Sequence, residues 1–120
     1  MIRYHLFAHD PNVVRRSAGE FLFRRGEYGD CMYVLMSGTA EVRIGDVVVE
    51  IAGQGDVMGE TSVVEPGPHL AEVRALTDCE FVEVSAARFE FLVSQVPHFA
   101  TDVLRTLTRR LRAMDGRLDA

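Results

Sequence analysis

A mostly β fold of the sandwich, jelly-roll or small-barrel kind, followed by C-terminal α-helices, is what three features of this sequence predict. Glycine recurs through the first two thirds, at Gly19, Gly26, Gly29, Gly38, Gly45, Gly53, Gly55, Gly59 and Gly67. Short apolar stretches lie between these glycines, the pattern of many short strands joined by tight turns. After Ser85 the grammar changes: helix formers dominate and only Gly116 remains.

The elements follow in order. Strands are predicted over Val13–Arg16, Phe21–Phe23, Met32–Ser37, Ala40–Ile44, Val47–Ala52, Asp56–Met58, Leu70–Ala75 and Glu80–Val84. Met32–Met36 and Val47–Val49 are apolar or β-branched enough to be buried on both faces. Ile44-Gly45-Asp46-Val47 reads as a tight hairpin in which glycine supplies a positive φ. About eight strands at this spacing fit the sandwich or jelly-roll class. Ser85 is placed as N-cap of a helix over Ala86–Val96. Pro97 interrupts, and a second helix is predicted from His98 to Met114, stopping near Gly116. Residues 1–12 read as a tail or short lead-in, 13–85 as the β portion and 86–120 as the helices, together one domain.

Along the second helix Leu104, Leu107, Leu111, Met114 and Leu118 alternate at three- and four-residue spacing. This is an a/d seam about two heptads long. It fits burial against the protein's own β portion, and it equally fits a partner helix, first of all the same helix of a second chain. A seam this short needs other surface to hold a coiled coil.

Composition excludes several classes. The chain has 120 residues, a net charge of −5, 48% apolar and 26% charged residues, ordinary values for a globular domain. The acidic balance argues against a nucleic-acid or anionic-membrane binder, since those draw affinity from neutralising phosphates. Arg105, Arg109, Arg110, Arg112 and Arg117 crowd the C-terminal end and read as a solvated helix face near a helix C-terminus. No run of about twenty apolar residues spans a membrane. Met1–Asp10 carries Arg3 and His5 but no apolar stretch or small-residue cleavage site, so no signal peptide is expected. Cys31 and Cys79 follow no metal or redox spacing and read as reduced thiols of a cytoplasmic protein.

Five segments in order then carry a family resemblance. They are Ala18-Gly19-Glu20-Phe21-Leu22-Phe23-Arg24-Arg25-Gly26-Glu27-Tyr28-Gly29-Asp30, Met32-Tyr33-Val34-Leu35-Met36-Ser37-Gly38, Gly53-Gln54-Gly55-Asp56-Val57-Met58-Gly59-Glu60, Ala71-Glu72-Val73-Arg74-Ala75, and the two final helices. Together they resemble the cyclic nucleotide-binding domains of the catabolite activator protein, protein kinase A regulatory subunits and gated channels, over nearly the whole chain after Val13. The resemblance implies an eight-stranded double-stranded β-helix, or jelly-roll β-roll, closed by a C-terminal helix. It also implies a short helix after a Gly-Glu pair that cradles a cyclic phosphate.

The chemistry of such a cradle is general. Backbone N–H groups at the start of a short helix attract the phosphate charge. Glycine lets the backbone approach the ligand. A carboxylate accepts from a ribose hydroxyl, and an arginine neutralises the phosphate in a low-dielectric pocket. Gly59 and Glu60 stand at the Gly-Glu pair, with Thr61 and Ser62 placed to open the short helix. Glu60 is the candidate ribose carboxylate, or else an acid on the helix dipole.

The phosphate arm departs from the family pattern. Where the family reads Pro-Arg-Ser/Thr-Ala, this chain has Pro68-His69-Leu70-Ala71. Histidine is mostly neutral at pH 7 and cannot make the forked contact of a guanidinium. Strand alternation turns Arg74 away from the face of His69. At the base end, the resemblance places Met114 and Asp115 on the last helix. Met114 offers no hydrogen bond, and Arg110 reads as a stacking partner for a base or as a surface arginine. The expected ligand set is therefore Gly59, Glu60, Thr61, Ser62, His69, Leu70 and Ala71, with Arg110 and Met114 toward the base.

Cyclic nucleotide or another small anion is the expected ligand, bound weakly by a stand-alone regulatory domain without a DNA-binding domain. The alternative is a degenerate domain that binds nothing and serves as a dimerisation or partner-binding piece through Leu104, Leu107, Leu111 and Met114. A cupin-type metalloenzyme is disfavoured. His5, His9, His69 and His98 form no ligand cluster, and neither a nucleophile motif nor a P-loop is present. No catalytic residue, metal or cofactor is expected.

Overall fold

A computed structural model describes residues 4–118. A 3-10 turn over Tyr4–Phe7 leads into β1 (Val13–Arg16), β2 (Phe21–Phe23), β3 (Tyr28–Gly29), β4 (Cys31–Ser37), β5 (Ala40–Ile44), β6 (Val47–Ala52) and β7 (Val57–Met58). Helix α1 (Glu60–Val64) follows, then β8 (Gly67–Pro68), β9 (Glu72–Ala75), β10 (Cys79–Ser85), α2 (Ala86–Gln95) and α3 (Phe99–Leu118). The strands form two antiparallel sheets in the orders β1-β10-β4-β7 and β2-β9-β5-β6, with β3 and β8 a separate pair. The molecule is a mostly β jelly-roll β-roll with C-terminal helices.

Two cores flank the first sheet, and this explains the near-continuous apolar run of β4. A strand buried on both faces has no polar side to alternate with. Leu35 and Phe81 point between the sheets, toward Leu22, Phe23, Val42, Met58 and Val73. Met32, Val34, Val82 and Val84 point the other way, into a core closed by Leu92 of α2, Phe99 and Val103 of α3, and Phe7. The lead-in is thus anchored: Phe7 is buried, and the Arg88 guanidinium lies over its ring at 4.9 Å. Residues 1–3 of that lead-in lie outside the described residues.

The sequence misplaces some elements. Val47 and Val48 are only half-buried, because β6 is an edge strand. The predicted strand at Leu70 starts at Glu72, and the two-residue pair β3–β8 carries too little periodicity to be seen. Helix α3 does not stop at Gly116 but continues through it. Ser85 caps α2 as expected, its Oγ accepting from the Arg88 N–H at 3.2 Å. Gly45, with φ 59°, turns the β5–β6 hairpin.

Helix α3 crosses both cores. Its buried stripe is Phe99, Val103, Thr106 and Arg110, with Ala113 and Met114 reaching the inter-sheet core. Thr106 donates its hydroxyl to the Asp102 carbonyl at 3.3 Å, which lets a polar residue lie inside. The leucine seam is offset from this stripe. Leu104 and Leu111 are 60% and 61% exposed, while Leu107 and Met114 turn toward the roll. The side chains of Arg117 and Leu118 lie outside the described residues.

Gly38, with φ 92°, makes the tightest turn: an added Cβ would strike the Asp78 carbonyl oxygen and sit 2.8 Å from Cys79 Sγ. Gly38→Ala is therefore expected to destabilise the fold by at least about 1–3 kcal/mol, the cost of a strained left-handed residue before the clash is added. Urea denaturation of the variant against the parent checks this.

Candidate functional site

The cradle segment forms where the sequence places it. Gly59 caps α1 with φ 76°, and a Cβ there would come within 2.9 Å of the Cys31 carbonyl oxygen, so both conformation and space favour glycine. The Ser62 and Val63 N–H groups donate to the Gly59 carbonyl at 3.1 Å. The β3–β8 pair then brings the phosphate-arm segment back against the β2–β3 turn. There the His69 N–H donates to the Glu27 carbonyl at 2.8 Å, and the Gly26 N–H donates to the His69 carbonyl at 2.9 Å.

These backbone bonds turn the His69 side chain inward, where it is only 5% exposed. Its ring stacks on Phe23 at 3.7 Å between centroids and 9° between planes. Its Nδ1 and Ser62 Oγ share a 3.1 Å hydrogen bond. The imidazole also lies against Gly29, where a Cβ would overlap it. Burial pushes the His69 value below the ordinary 6.5, only partly offset by the fields of Glu27 and Glu60. The neutral ring is thus the favoured form. The stability it contributes is complete above the ordinary histidine value and is lost as pH falls through the lower folded value. His69 occupies the phosphate arm as a neutral stacked ring.

Glu60 is buried and neutralised. Arg110 Nη1 donates to both of its carboxylate oxygens, at 2.8 and 2.9 Å. Arg110 is itself 5% exposed. Its Nε donates to Glu50 Oε2 at 2.7 Å, and its Nη2 donates to the Val57 carbonyl at 2.6 Å. Arg109 Nη2 reaches Glu50 Oε1 at 2.6 Å. Burial alone would lower the Arg110 value, but Glu60 and Glu50 outweigh it and hold the guanidinium protonated. Burial likewise would raise the Glu50 carboxyl, yet Arg110 and Arg109 pull it below the usual carboxylate range. Arg110 is thus not a surface arginine: it is the buried tie between α3, α1 and β6. Glu60 meets a cation instead of standing free on the helix dipole.

A cavity of about 100 Å³ lies beside this network. Gly59, Glu60, Thr61, His69, Leu70, Ala71, Arg110 and Met114 all border it, with Leu107 and Leu111. Ser62 is buried behind His69, and Leu104 lies away on the exposed side of α3. The structure therefore gathers most of the ligand set predicted from sequence around one pocket. It adds Phe23 and Gly29, which the sequence offered only as members of the first resemblance segment, and Glu50, which carries no motif; only the proximity of an edge-strand acid to a distant helix arginine makes Glu50 a site residue. Arg74 faces out, its Nε donating to the Gly19 carbonyl at 3.1 Å. Among the described residues no group of three or more His, Cys, Asp or Glu is placed to hold a metal ion. No described helix is long and apolar enough to cross a membrane.

Comparison with known proteins gives a consistent picture. A profile of the cyclic nucleotide-binding domain matches residues 13–96. The CRP-like cAMP-activated global transcriptional regulator of Mycobacterium tuberculosis is 30% identical over 107 residues, covering 83% of this chain and 47% of that protein. A cyclic nucleotide-gated potassium channel of Rhizobium etli is 32% identical over 100 residues, covering 83% of this chain and 27% of the channel. The crystal structure of Thermus thermophilus catabolite activator protein superposes with a TM-score of 0.74 at 25% identity, covering 99% of this chain and 59% of that one. The chain thus spans about half the length of the mycobacterial regulator and about a quarter of the channel.

Arg110→Ala leaves Glu50, Glu60 and the Val57 carbonyl without their shared donor. The expected loss is about 3–5 kcal/mol, the cost of breaking a buried ion pair from one side. It is read from the urea midpoint at neutral pH.

Proposed function

This chain belongs to the cyclic nucleotide-binding domain family, and we propose that it is a regulatory domain of that family which holds cyclic nucleotide, or another small anion in its place, only weakly. The observation that carries this reading is the commitment of the cradle's charges before any ligand arrives. His69 stands as a neutral ring in the phosphate arm, and the one buried guanidinium bordering the pocket is already neutralised by Glu60 and Glu50. Among the described residues bordering the pocket a phosphate meets no free side-chain cation, and a ribose hydroxyl must compete with Arg110 for Glu60. Losing a charge-assisted contact to a buried phosphate costs about 2–5 kcal/mol.

Exposed Leu104 and Leu111 favour a second reading, in which α3 serves as a dimerisation or partner-docking helix whether or not ligand binds. They lie seven residues apart, one heptad, and are both exposed on α3, Leu111 at the rim of the pocket.

Calorimetry with cyclic AMP and cyclic GMP tests the first reading. Dissociation constants of about a millimolar or weaker are expected for the parent chain. The variant His69→Arg, Leu70→Ser is expected to gain about two to three decades. Micromolar binding by the parent overturns the reading. Sedimentation tests the dimer form of the second: a dimer mass that falls to monomer in Leu104→Glu, Leu111→Glu supports it, and a parent that is already monomeric removes it.

A further inference from the structure

We propose that the pocket takes a small uncharged apolar molecule, of the size of a single aromatic ring or a short alkyl chain. The proposal rests on the reading that anions are held weakly, and it names the ligand class left to the same site. Its ground is the contrast between Glu60, Arg110 and His69, which are already paired, and the pocket's apolar walls. Glu60 and Arg110 neutralise each other, and His69 is bonded to Ser62 and stacked on Phe23. What remains turned to the space is chiefly Val42, Ile44, Met58, Val73, Leu107 and Met114.

Volume narrows the class. The cavity of about 100 Å³ is well below the roughly 300–1,000 Å³ of pockets that enclose drug-sized ligands. It is close to the scale of apolar cavities, about 150 Å³, that stay dry and accept benzene or xenon. A void lined by aliphatic side chains costs stability in proportion to its volume, so an apolar occupant restores contacts that the folded chain lacks. A charged occupant would lose its water and, among the described residues bordering the pocket, find no side-chain cation that is not already paired.

An apolar way in also exists. Leu70 is 59% exposed and Leu111 61% exposed, and both border the cavity. Leu70 occupies the position where the family pattern has a hydroxyl residue, so the rim of the pocket offers apolar surface to an entering molecule. The same Leu111 belongs to the exposed face of α3. Occupancy of the pocket therefore bears on the surface that the second functional reading assigns to a partner.

The experiment uses the full chain with labelled methyl groups, titrated with benzene and observed by NMR. Saturable shifts at the Val42, Val73 and Met58 methyls are expected, with a dissociation constant of about a millimolar or lower. Met114→Trp and, separately, Leu111→Trp plug the pocket from the less buried side of α3. Either is expected to weaken benzene binding about tenfold or more, while the protein's other methyl resonances stay in place. Absence of shifts at those three methyls up to the aqueous solubility of benzene overturns the proposal. Undiminished binding in both plugged variants also overturns it. Cyclic AMP is titrated into the same parent sample. Weak cyclic AMP with no benzene binding sinks this inference alone, whereas micromolar cyclic AMP binding sinks the reading beneath it.

Discussion

One guanidinium holds the C-terminal helix to the roll. Arg110 is buried, so its charge is tolerable only because Glu60, Glu50 and the Val57 carbonyl surround it. Those partners come from α1, from β6 and from β7. One side chain therefore fixes the distance of α3 from three other elements. Buried ion pairs of this kind add little net stability over apolar packing but are costly to break from one side. Their effect is geometric. With Arg110 in place, Leu107 and Met114 are set over the mouth of the roll and the pocket takes its shape. Glu60, the carboxylate that the family resemblance offers to a ribose, is already occupied.

His69 completes the same theme from the other wall. Where the family has a cation, this chain has a ring packed flat on Phe23 and lodged against a glycine that has no Cβ to block it. An imidazolium in that place would carry a charge among Phe23, Gly29 and Ser62, and burial opposes it. In this chain the Pro68–Ala71 stretch contributes its histidine to the packing. The backbone half of the cradle, turned by Gly59, persists with its side-chain chemistry redirected inward.

Much of this was legible in the residues. Glycine spacing located the strands, and the unbroken apolar run Met32–Met36 announced a strand with two buried faces. The Gly59-Glu60 pair and the departure at His69 and Leu70 pointed to residues that border one pocket. The illegible parts have physical causes. The pairing of Tyr28–Gly29 with Gly67–Pro68 involves strands too short to show alternation. The buried stripe of α3 includes Thr106 and Arg110, so apolar spacing alone pointed to the leucines of the neighbouring face. Glu50 is 60 residues from Arg110 in the chain, and no local pattern joins an edge-strand acid to a helix that packs over it.

The passage of α3 across two separate cores has a mechanical consequence. Its first turns are clamped by Phe99 and Val103 against the helical core, while its later turns rest on the roll through Arg110, Ala113 and Met114. The helix is a cantilever with a hydrophobic root and an electrostatic support farther out. The root resists lifting at any ionic strength, because nothing in it is charged. The outer support weakens as pH falls through the lowered value of Glu50, so acid would loosen the free end while the root stays seated.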